Sequence, residues 1–145
     1  MGKERRTDRL TNVYEAQDSR QTADLYDEWA DEYERDVLSY GYTTPAIIAG
    51  LLGRYVDAKD SSVLDAGAGT GMMGEVLKPL GYREPSGIDL SENMLNLARK
   101  KNVYGSLRQM ELGERLDLPG GSFSAVVAAG VSTPGHATPR QIPST

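Results

Sequence analysis

The chain has 145 residues, 39% hydrophobic and 26% charged, with a net charge of −5 at pH 7. That length supports one domain with a packed core, and the absence of cysteine excludes disulfides, thiolate zinc sites and a cysteine nucleophile. A single histidine argues against a metal site, and no apolar run approaches the ~18 residues that a membrane span requires.

No apolar segment follows Met1–Arg6 as a secretory signal would, so the expectation is a soluble, cytoplasmic protein. The charge is uneven. Residues 1–40 hold 6 basic and 11 acidic side chains, and the remainder holds 10 of each. With no basic patch to neutralise phosphates, nucleic acid is not expected as a partner.

In chain order, residues 1–20 are polar and aperiodic and read as a mobile arm. Thr22 can cap a helix over 23–38, whose Leu25, Tyr26, Trp29, Ala30, Tyr33 and Val37 share one face. That stripe docks on the core. Thr44-Pro45 starts a second helix, with Thr44 as cap, running to about Tyr55. Strand one is Ser62–Asp65. A glycine turn leads into a helix over Met72–Leu77, ended by Pro79 and Gly81. Strand two is Ser86–Asp89, Ser91 caps a helix over 92–101, strand three is Ser106–Met110 and strand four is Ser124–Ala129. Strands that alternate with helices predict an α/β fold, a Rossmann-like doubly wound parallel sheet joined by right-handed crossovers. From 131 to 145 three prolines and no periodicity predict an irregular tail. His136 lies there and reads as an inert loop residue rather than an acid–base group.

The chemistry concentrates in Val63-Leu64-Asp65-Ala66-Gly67-Ala68-Gly69-Thr70-Gly71 and, one helix later, Ser86-Gly87-Ile88-Asp89-Leu90. Each is a strand that runs into an acid, and the first acid opens a glycine turn. Gly69-Thr70-Gly71-Met72-Met73-Gly74 also satisfies the G-x-G-x-x-G pattern of dinucleotide sites, with Asp89 about 20 residues on. Asp89 does not discriminate, because NAD and S-adenosylmethionine (SAM) both offer ribose hydroxyls. Asp65 does. A carboxylate in the turn repels a pyrophosphate, which helix N–H groups would otherwise attract, whereas SAM presents an ammonium and a sulfonium. The balance falls to SAM, with an NAD module and a merely structural turn as alternatives.

On these residues the chain resembles the class I SAM-dependent methyltransferases. Asp65–Gly71 is similar to their first motif, and Gly87-Ile88-Asp89-Leu90-Ser91 with Met94-Leu95 to their second. Leu25–Val37 resembles the start of the Williams–Beuren-region methyltransferase-like subgroup. The resemblance implies SAM as cofactor. It sets Asp65 toward the ammonium end, Gly67, Ala68, Gly69 and Gly71 along the close backbone approach, and Asp89 on the ribose. Leu90, Met94 and Leu112 would flank the adenine, Glu111 would accept from its amino group, and Tyr26, Trp29 or Tyr33 would close over the mouth, with Tyr33 counted among the cofactor contacts. Glu111 stands where an Asp is more usual, and Ser124 where an Asp often follows the Phe. The resemblance is specific for cofactor class and says little of substrate: no catalytic residue is identifiable, and the unidentified methyl acceptor is expected to be a small molecule or a protein.

The family's seven strands lie in the order 3-2-1-4-5-7-6, and this chain shows four. Residues 21–130 therefore read as a partial SAM-binding domain with the C-terminal strands missing. Strand four would be an unprotected apolar edge open to self-association, and activity becomes doubtful. A non-catalytic SAM-binding or interaction fragment is the alternative function.

Overall fold

In the computed structural model, which describes residues 9–129, four short strands form one sheet. They are β1 (Val63–Ala66), β2 (Ser86–Asp89), β3 (Ser106–Gln109) and β4 (Ala125–Val127), all parallel, in the order β3-β2-β1-β4. In the described residues β4 pairs only with β1. The helices are α1 (9–14 among the described residues), α2 (Ser19–Ser39), α3 (Thr44–Tyr55), α4 (Met72–Leu77), continued by a 3-10 turn over Lys78–Leu80, and α5 (Glu92–Lys100). None is long and apolar enough to cross a membrane.

The period of two along β1 divides its side chains between two cores. Val63 joins Ala49, Leu52, Met73, Leu77 and Val127 beneath α3 and α4. Leu64 and Ala66 join Ile88 on the other face, which Leu112, Leu116, Leu118 and Phe123 cover. Asp65 follows Val63 in phase and so faces the α4 side. The step from β3 back across to β4 crosses the second face, as a right-handed connection requires.

The N-terminal segment corrects the expected mobile arm as far as residues 9–20 are concerned. Val13 of α1 is 1% exposed and packs with Trp29 and Val37, and Arg9 pairs with Glu32. Leu10 and Val13 are too few to register as a period, yet they complete the apolar stripe of α2. That helix starts four residues earlier than expected. Its cap is Asp18, which accepts from the Gln21 N–H at 2.8 Å. Thr22 is buried inside the helix instead, and its hydroxyl donates to the Asp18 carbonyl at 2.9 Å. Likewise Thr44 is the first residue of α3 rather than its cap. Thr43 holds that position without a side-chain hydrogen bond.

Two contacts tie α2 along α5. At the start of α5, Asp27 Oδ1 accepts from the Ser91 hydroxyl and from the Asn93 N–H at 3.1 Å. At its end, Lys101 pairs with Glu34 of α2 and, at 2.9 Å, with Glu75 of α4. Lys101 thus cross-links α5 to both neighbouring helices. The residues of the tail, His136 among them, lie outside the described residues.

Candidate cofactor site

The turn after β1 is shaped by glycines in the left-handed region, Gly67 at φ 86°, Gly69 at 54° and Gly71 at 95°. Side chains other than glycine rarely adopt such angles. The N–H groups of Gly67 and Ala68 both donate to the Ile88 carbonyl, at 2.8 and 2.9 Å. This docks the turn on the end of β2 and brings the two acids to one place. Asp89 then closes the corner. Its Oδ2 accepts from the Gly69 N–H at 2.8 Å and its Oδ1 from the Ser91 N–H at 2.9 Å. Burial pushes the Asp89 carboxyl up, against the pull of these N–H groups.

Met94, one turn into α5, is 2% exposed, and its sulfur lies 3.7 Å from where a Gly69 side chain would begin. Leu90 follows Asp89 and is half-buried, its carbonyl accepting from the Gln109 amide at 2.9 Å. Glu111 and Leu112 lie beyond β3. Leu112 packs on the Leu64/Ala66/Ile88 core, while Glu111 is half-buried and forms no side-chain hydrogen bond within the described residues. Tyr33 belongs to the aromatic cluster of α2, its ring 4.9 Å from Trp29 and edge-on. Burial raises its phenol, and the charges of Tyr42 and Asp89 raise it further. The structure therefore unites Asp65, Gly67, Ala68, Gly69, Gly71, Asp89 and Met94 around one corner, with Tyr33 in its electrostatic reach. Glu111, two residues past the end of β3, joins none of these hydrogen bonds among the described residues.

Asp65 is wholly buried. Its Oδ2 accepts from the Tyr104 hydroxyl at 2.6 Å, and its Oδ1 has no partner. The Thr70 hydroxyl in the same turn is likewise buried and unpartnered. Burial pushes the Asp65 carboxyl up to about 7, with the Tyr104 hydrogen bond opposing and the Asp89 charge adding. The native protein thus holds a proton that the unfolded chain releases near 3.8. Stability from this group is full below that value and is lost as pH rises through about 7. Urea midpoints should accordingly fall from pH 5 to pH 8 more steeply for the wild type than for Asp65→Asn. Equal slopes would show that Asp65 titrates normally.

Two orphaned polar atoms beside an acid-flanked turn fit a ligand that carries a cation and hydroxyls, and they fit a pyrophosphate poorly. Residues missed from sequence are Tyr104, which lies in no motif, and Asp27, which ties α2 to the start of α5.

An acidic glycine turn at the carboxyl ends of parallel strands in this order defines the SAM-dependent methyltransferase fold. The chain belongs to that family, for the family model described as "Methyltransferase domain" matches residues 63–143, more than half of its length. It is 32% identical over 129 residues to human methyltransferase-like protein 27, covering 87% of this chain and 53% of that protein. It is 32% identical over 68 residues to the Saccharomyces cerevisiae 18S rRNA (guanine(1575)-N(7))-methyltransferase, covering 47% of this chain and 25% of the relative. Magnesium protoporphyrin IX methyltransferase (ChlM) from Synechocystis PCC 6803, solved with bound SAH, shares the fold at a TM-score of 0.51. That match has 21% identity and covers 87% of this chain and 53% of the other. The chain thus spans about half, or a quarter, of the lengths of these curated relatives.

Proposed function

We propose that the chain binds SAM at the corner between the two acids and serves methyl transfer to a small-molecule or protein acceptor. The observation that carries this reading is the pairing of a buried, half-satisfied Asp65 with Asp89 across the Gly67–Gly71 turn. Asp65 would answer the ammonium end and Asp89 the ribose hydroxyls. Leu90, Met94 and Leu112 would line the adenine, Glu111 would accept from its amino group, and Tyr33 would exclude water at the mouth. When bound, SAM supplies an electrophilic methyl group on a sulfonium. The chain's own contribution is then proximity and alignment.

An RNA acceptor, suggested by the name of the yeast relative, would meet Asp24, Glu28 and Asp31 exposed along α2, whose charge opposes a phosphate backbone. A small molecule or protein avoids that repulsion. Calorimetric titration with SAM, S-adenosylhomocysteine (SAH) and NAD tests the cofactor reading. SAM and SAH should bind and NAD should not, and tighter binding of NAD than of SAH would overturn it.

A further inference from the structure

Tyr104 lies in the link between α5 and β3, and its ring fills a slot that two glycines leave open. A Cβ at Gly74 would come within 2.7 Å of the ring's Cε2 and Cζ, and one at Gly87 within 3.1 Å of its Cε1. Neither approach is tolerable without movement. The slot fixes the hydroxyl, which accepts from the Gly74 N–H at 3.1 Å and donates to Asp65 Oδ2 at 2.6 Å. For the ionised carboxyl the direction is set, because a backbone N–H and a phenol proton donate and a carboxylate only accepts. Oδ2 of the carboxylate therefore accepts from Tyr104. While Tyr104 keeps donating to Oδ2, a proton taken up by Asp65 sits on Oδ1, the buried oxygen without a partner.

We propose that Tyr104 is a positioning residue of the cofactor site: it occupies Oδ2 of Asp65 and leaves Oδ1 as the single free acceptor for a cationic amino group. The inference rests on the reading that this turn binds SAM. It adds that binding of the amino group competes with a proton for one atom. The titratable groups that face Asp65 among the described residues are Tyr104 itself, Asp89 from β2 and Tyr42 from the segment before α3. Both phenols are raised, so they stay neutral between pH 6 and 8. Asp89, placed for ribose, acts alike on any adenosine ligand.

Calorimetry on the full chain separates this role from simple packing, with SAH and 5′-methylthioadenosine as probes. The second keeps the adenosine and the sulfur but lacks the amino-acid tail. Tyr104→Phe should weaken SAH roughly tenfold, as loss of a hydrogen bond to a charged group does, and 5′-methylthioadenosine less than about twofold. In the wild type the preference for SAH over 5′-methylthioadenosine should grow from pH 6 to pH 8, and Tyr104→Phe should move that rise to higher pH. Equal weakening of both ligands, or of neither, overturns the proposal. If Tyr104→Phe does not fold, the wild-type ratio decides alone, and a ratio flat with pH overturns it. Binding of neither probe by the wild type would sink the cofactor reading itself, and this inference with it.

Discussion

Replacing Trp29 with alanine is expected to destabilise the protein by about 3–5 kcal/mol, as truncation of a large buried aromatic does. Trp29 is 2% exposed, at the centre of the layer formed by α1 and α2. Its ring stacks on Tyr26 at 6.3 Å and meets Tyr33 edge-on at 4.9 Å. Its indole N–H donates to Asp36 Oδ2 at 3.0 Å, and Asp36 is 1% exposed. The substitution therefore opens a void and also removes a donor from a buried carboxylate. Trp29→Phe separates the two effects: it keeps most of the ring and loses the donor, for about 1–3 kcal/mol. Urea unfolding followed by circular dichroism reads both. Against a total domain stability of about 5–15 kcal/mol, a midpoint for Trp29→Ala equal to that of the wild type would mean that this layer contributes nothing to the fold.

The second large effect is on binding. Asp89→Ala should weaken SAH roughly ten- to hundredfold, or about 1.5–3 kcal/mol for the lost charge-assisted contact. The loss has two parts. The ribose acceptor disappears, and the Gly69 and Ser91 N–H groups lose the carboxylate that joins the turn to the start of α5. The contact proposed for Asp89 is to ribose, so SAH and 5′-methylthioadenosine should weaken together, in contrast to the selective effect expected at Tyr104. Asp89→Asn retains one acceptor oxygen and should fall between. An Asp89→Ala protein that binds SAH as tightly as the wild type, with an unchanged melting curve, would remove Asp89 from the site.

Local patterns were legible. The strand Ser86–Asp89 and the helix Met72–Leu77 have the bounds that apolar content, glycine and proline punctuation imply. Ser91 caps α5 as its position before a periodic run suggests, accepting from the Met94 N–H at 3.2 Å. The corner of Asp65, the glycines and Asp89 was also legible, because each acid ends a strand and adjacent parallel strands bring their carboxyl ends together. The reading failed where partners are distant in sequence. Tyr104 meets Gly74 across 30 residues and Asp65 across 39, and nothing within any short window of sequence links them. Gly74 was open to misreading for the same reason. As the third glycine of G-x-G-x-x-G it matched a dinucleotide pattern, whereas in the fold its missing side chain is where the Tyr104 ring lies. Val13 escaped because one turn of helix is too short to show a period, although its partners on α2 were identified.

The slot around Tyr104 sets a rule for how this site tolerates change over evolutionary time. Positions 74, 103 and 104 share one volume, so they vary as a unit rather than singly. A methyl group gained at Gly74 comes within 2.7 Å of both the Tyr104 ring and Val103 Cγ2, so it needs smaller residues at both positions. A related chain that carries a side chain at position 74 should therefore have surrendered the tyrosine, and with it the donor that holds the turn's acid. Such a chain must restrain that carboxylate from another direction or do without it.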